Sequence, residues 1–215
     1  MRHLIFLLTT LVTGEDLNLD YDIHITNGGS NVNLSVMNNE LGEPIVRVIN
    51  ADNVSFRDEI QSLIHNDKAG AFGNVDCDHF KKMIPANIGA ISDTEGTKTF
   101  AFRPIPTADD DADIYENLHG IAKVSSSTEK LISITLTNDS AFSPSFGSKI
   151  HQLSFAIECF PLTEQTMVLK NYELIVQGSA FLMPFEERMK RTYTNYRLSN
   201  PSAADHDDEI FTPAH

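Results

Sequence analysis

Basic residues are scarce in this chain: sixteen Lys and Arg stand against thirty Asp and Glu, a formal net charge of −14. A phosphate backbone or an anionic membrane surface would repel such a molecule on average, so neither nucleic acid nor stable membrane insertion is expected. Tryptophan is absent, which removes the commonest stacking platform for a sugar. The only cysteines are Cys77 and Cys159, too few for a closed Cys-rich zinc site. Long apolar runs are missing too. The stretch Leu4–Val12 is too short to span a bilayer. There is no nucleophile elbow, phosphate-cradling glycine loop, His-Glu-x-x-His pair or dinucleotide fingerprint, and the eight His lack metal-ligand spacing. No internal repeat or heptad is visible, which excludes solenoids and coiled coils.

What remains is a strand-rich chain with enough apolar residues to build a core, 41% of the total. The clearest pattern is at Lys149–Phe160, where Leu153, Phe155, Ile157 and Cys159 alternate with Ser154, Ala156 and Glu158. A period of two marks a strand with one face buried. Pro161–Gln165 interrupts it, and Met167–Met183 resumes with Val168, Tyr172, Leu174 and Val176 at even positions. Met167 and Leu169 sit on the other parity, so a β-bulge is expected near Lys170-Asn171. The pair reads as a long antiparallel hairpin at the centre of a sheet.

Other hairpins follow from the same logic. Tyr21–Asn27 and Val32–Val36 flank Gly28-Gly29-Ser30, and Leu118–Ser125 and Leu131–Thr137 flank a polar turn. Pro44–Ile49 and Thr99–Ile105 read as further strands. Phe56, Ile60, Leu63 and Ile64 share one helical face, with Ser55 as the expected cap. Residues 71–98 read as a long crossing loop.

Both ends of the chain differ from this middle. Residues 1–14 have the layout of a secretory signal, a short basic start followed by an apolar run and small residues. The same run would suit a first strand buried on both faces. Beyond Pro184, Phe185, Met189, Tyr193 and Tyr196 fall at i, i+4, i+8 and i+11, a helical stripe. Residues 184–215 are therefore expected to form a C-terminal helix and an acidic arm. Arg188, Lys190, Arg191, Tyr193, Tyr196 and Arg197 make the helix basic and aromatic, fit for contact with an acidic surface on another chain.

Few residues invite chemistry. Asp109, Asp111 and Asp113 alternate in an acidic loop, as oxygen ligands of Ca²⁺ would. An EF-hand is excluded, because Ile114 occupies the glycine position and Gly120 stands where a bidentate Glu belongs. The carboxylates beside Cys77 oppose a reactive thiolate. A Cys77–Cys159 bridge would stabilise by about 4–5 kcal/mol; as free thiols the two would serve as small apolar residues. The sequons at Asn33, Asn53 and Asn138 are no more than chance supplies in a chain rich in Asn and Ser.

The sequence thus predicts a mainly β fold: an antiparallel β-sandwich of jelly-roll type over 15–183, with one or two short helices. It predicts a non-enzymatic structural or interaction protein, secreted or surface-exposed, whose partners are other protein chains including copies of itself. Two alternatives accompany it. One is a self-assembling subunit of a virus coat or appendage. The other is a Ca²⁺-dependent binding protein or hydrolase on a β scaffold; otherwise no cofactor is expected.

Overall fold

The computed structural model describes residues 18–39, 41–68, 72, 74–106, 112–164 and 166–198. The N-terminal run 1–14 and the acidic arm 199–215 lie outside them. Among the described residues, ten strands form one antiparallel sheet: β1 (Leu19–Asn27), β2 (Ser30–Asn38), β3 (Pro44–Ala51), β4 (Ser92–Thr94), β5 (Thr97–Phe102), β6 (Leu118–Ser125), β7 (Leu131–Asn138), β8 (Ser148–Pro161), β9 (Met167–Ala180) and β10 (Met183–Leu198). Their order is β3-β2-β1-β10-β9-β8-β7-β6-β5-β4. The hairpin of β8 and β9 lies at the centre of that order, as expected, and the alternation of its apolar residues sets the face it buries.

The fold is mainly β, as expected; the two-sheet sandwich is not confirmed, since the ten described strands belong to one open sheet. Alternating apolar residues tell each strand which face to bury. They do not tell it whether its neighbours share that face in one sheet or two.

Turn chemistry explains the first hairpin. Gly28 and Gly29 take positive φ angles of 56° and 88°, and Asn27 pairs with Ser30 across them. Only a residue without a Cβ adopts that twist freely. The bulge expected near Lys170 is present: Glu158 pairs with Asn171 and Cys159 with Leu169, leaving Lys170 as the extra residue.

One contiguous core lies on the inward face. Leu34, Val36, Leu136, Ile134, Phe155 and Leu174 are all buried there. Covering a side chain the size of Phe155 stabilises by about 1.5–3 kcal/mol. A helix, α1 (Val54–Leu63), packs on β2 and β3 and buries Phe56 and Ile60. Asn53, not Ser55, caps it, accepting from Phe56 N at 3.1 Å. Residues 71–98 are not all loop. A 3-10 helix, Cys77–Met83, packs against β7 and β9.

The largest correction concerns the C-terminal segment. Residues 184–198 are not a helix; they belong to β10, which fills the slot between β1 and β9. Phe185, Met189 and Tyr193 are four apart, a spacing that fits a helical stripe and one face of a strand equally well. Tyr196 breaks the strand period, and its inward position depends on a bulge. Asp20 pairs with Arg197 and Asp22 with Thr194, while Asn195 takes φ 56°. The unpaired backbone of β1 and β9 decides the conformation over local pattern.

Candidate functional site

Two loops meet at one pole of the sheet. The first is the β9–β10 turn, where Ala180 pairs with Met183 and only Phe181 and Leu182 lie between them. Both adopt left-handed backbone, φ 48° and 69°. A two-residue hairpin turn of this hand calls for Asn or Gly. A bulky L-residue in left-handed backbone costs roughly 1–2 kcal/mol. The strain is not offset by burial, because Phe181 is 72% exposed and Leu182 96%.

The second loop, between β7 and β8, carries Phe146, 97% exposed. Its turn is closed by Ser148 N donating to Ser145 O at 3.2 Å, with Gly147 at φ 78°. The two loops are fastened together. Phe181 N donates to Gly147 O at 2.7 Å, and the Phe181 ring lies over Gly147 so closely that a Cβ there would sit 2.8 Å from it. Gly147 thus serves both the turn and the ring packing. Met183, 60% exposed, completes an apolar knob with Phe146, Phe181 and Leu182.

Beside the knob lies a hollow of about 530 Å³, walled by Phe146, Phe181, Phe185 and Ile150 and rimmed by Glu186, Glu187 and Arg188. Phe185 packs across Gly178, its cross-strand partner, where an added Cβ would come within 2.8 Å of the ring. Burial pushes the Glu187 carboxyl above its usual range, and the charge of Glu59 on α1 pushes it further. The hollow is lined mainly by apolar side chains, with the polar Asn27, Ser145 and Ser148 and a charged margin.

The residues expected to make contact are divided between the two faces of the sheet. Arg191 is buried, its guanidinium 5.2 Å from the ring centres of both Phe72 and Tyr172. Tyr193 is also buried, and Tyr196 packs on Tyr21 and Phe160 while donating to Leu169 O at 2.7 Å. These three belong to the core, which corrects their assignment to one interaction stripe. Arg188, Lys190 and Arg197 are exposed, and Arg188 alone of the six reaches the hollow.

The outward face nearby is a hydrogen-bonded polar surface. Asn171 donates to Glu158 at 2.8 Å, Thr192 to Asn171 at 3.1 Å and Asn33 to Asn50 at 2.6 Å. His24 Nδ1 lies 2.7 Å from Asn33 Oδ1 in the same row. This row of side chains is polar and well solvated.

Asp113 is exposed in a short helix, Ala112–Tyr115, with Asn117 donating to its carbonyl at 2.8 Å. Asp109 and Asp111 lie outside the described residues. Among the described residues, no group of three His, Cys, Asp or Glu side chains could hold a metal ion, and no helix is long and apolar enough to cross a membrane. Cys77 and Cys159 form a disulfide. Burial alone would raise the Asp78 carboxyl beside it, but hydrogen bonds and charge from Lys81 (2.8 Å) and Lys130 (3.2 Å) outweigh that and hold it low.

Sequence reasoning missed Phe181 and Leu182. Neither is a turn former, so Met167–Met183 read as unbroken strand. No local signal marks the turn, and length does not either, since β8 and β9 run 14 residues and β10 runs 16. Comparison with protein-family models, with curated proteins and with solved structures finds no match to this chain.

Proposed function

We propose that this chain is a non-enzymatic interaction protein: a rigid β scaffold that presents an apolar knob to a protein partner. The observation that carries this reading is the conformation of Phe181 and Leu182. Two bulky apolar residues hold strained, left-handed backbone while facing solvent. That combination is disfavoured both by conformation and by hydration, and stored strain of this kind clusters where surfaces are used. A hot-spot anchor needs such exposed aromatic and aliphatic groups on a stiff support, which the hydrogen bond to Gly147 provides.

A secreted or surface-exposed setting agrees with this reading, because a disulfide persists in oxidising compartments. The test is a photo-crosslinking side chain placed at position 182 in the full chain, compared with one at Lys123, an exposed position on the polar face. Adducts of defined mass at 182, at least about tenfold above those at 123, are expected. Equal yields at the two positions would remove the basis for a contact surface.

A further inference from the structure

We propose that the partner of the knob is a second copy of this chain, paired across a two-fold axis so that each knob enters the other's hollow. The inference rests on the contact-surface reading above and commits it to one occupant. The knob and the hollow lie side by side and share Phe146 and Phe181. A patch with a projection next to a recess is self-complementary under a two-fold rotation, the commonest symmetry of soluble oligomers. At about 530 Å³ the hollow is in the size range that buries a compact apolar ligand, and Leu182, 96% exposed, projects beside it.

Area and charge point the same way. Phe146, Phe181, Leu182 and Met183 together expose roughly 600 Å², less than the roughly 800 Å² per partner of a standard interface. The knob alone therefore falls short of that area, and Phe185 with the flanking Glu186, Glu187 and Arg188 adds further accessible surface beside it. The rim carries Glu186, Glu187 and Arg188 in succession. A patch bearing both signs can match itself across a two-fold axis, and the carboxylates would oppose an anionic bilayer.

The sheet edges offer a poorer route to self-association. Strand β3 starts at Pro44 and is bulged at Ile49, and β4 is only three residues long. Proline, a bulge and a short edge strand each discourage edge-to-edge pairing.

Three forms of the full chain test the pairing by sedimentation equilibrium: wild type, Phe181→Asn with Leu182→Gly, and Phe146→Ser. Wild type is expected to sediment as a monomer–dimer equilibrium that stops at two copies. The Asn-Gly variant is expected to weaken association by about a hundredfold or more. At a concentration dilute enough for both to be monomeric it should also melt no lower than wild type, because Asn-Gly suits the turn, so lost association would not reflect lost folding. Phe146→Ser, at a 97% exposed position, should weaken association without disturbing the turn. In mixtures of isotopically light and heavy chains, the crosslinker at 182 should join residues near Phe185 or Arg188 of the other copy.

A wild-type monomer at millimolar concentration, a ladder of higher oligomers, or unchanged association in both variants would overturn the pairing. A crosslink at 182 to a different protein would also overturn it, while leaving the contact surface intact. Equal crosslinking at 182 and 123 would remove both.

Discussion

Cys77 and Cys159 are covalently joined, fastening the first residue of the 3-10 helix to the inward face of β8. The same segment is stitched to β9 through Leu169 N donating to Val75 O at 2.9 Å. This covering element is thereby held on the core by one covalent bond and backbone pairing, beside the packing of Val75, Met83 and Phe80, whose ring meets Phe155.

The bridge closes a loop of 82 positions. Replacing both cysteines by alanine is expected to cost about 4–5 kcal/mol. For a chain of this size that lowers the melting temperature by roughly 10 °C or more, measurable by calorimetry. An unchanged melting temperature would show that the 3-10 helix needs no tether.

Asp78 governs acid sensitivity near the bridge. Its carboxyl is depressed below the ordinary value of 3.8. A depressed acid binds fewer protons folded than unfolded, so its contribution is present above pH 4 and lost as pH falls through the folded value. The group is partly exposed, which limits the effect to about 1 kcal/mol. Urea midpoints measured from pH 6 to pH 3 should fall more steeply for wild type than for Asp78→Asn.

Three tyrosines govern the alkaline side. Burial, opposed by the Arg191 charge, pushes the Tyr172 hydroxyl up to about 12, while burial and the neighbouring Tyr193 raise Tyr21 and Tyr196 further. A raised acid favours the protonated folded state, so stability is intact below pH 10 and lost as pH climbs through 10 to 12 and beyond. Tyr172 accounts for about 3 kcal/mol of that loss. Its hydroxyl finds no hydrogen-bond partner among the described residues. Tyr172→Phe is therefore expected to raise stability at pH 7 by about 1 kcal/mol and to flatten the alkaline decline. Chemical denaturation at pH 7 and pH 11 checks both.

Gly178 marks where β8 and β9 come too close for a side chain. A Cβ there would lie 2.4 Å from Lys149 O and 2.8 Å from the Phe185 ring. The nearer atom is backbone and cannot swing away. Gly178→Ala is expected to cost about 1–3 kcal/mol, read as a lower urea midpoint, and to disturb the hollow beside Phe185.

How much of this was legible in the sequence depends on the range over which each feature is decided. Alternation at 153–159 and 168–176, the Gly28-Gly29 turn, the Phe56–Leu63 helical face and the bulge at Lys170 are all properties of neighbouring residues, and each is found where the sequence predicts it. The cysteine bridge could be named from the sequence but not chosen over free thiols, because spacing along a chain says nothing about distance across it. The exposed knob was hidden, because nothing in Phe181 and Leu182 announces a turn.

By itself, then, the sequence determined that the segments around the turns at 28–29, 126–129 and 161–166 are extended, which face each of them buries and where the bonding pattern slips near Lys170, since side-chain parity and turn conformation are local. Only the tertiary structure decided that the strands form one open sheet, that 184–198 is a strand and not a helix, and that Phe146 meets Phe181 at one pole. Those outcomes turn on which distant backbone groups remain to be hydrogen-bonded. Phe185, Met189 and Tyr193 satisfy both periods, and the vacant positions along β1 and β9 settle the choice.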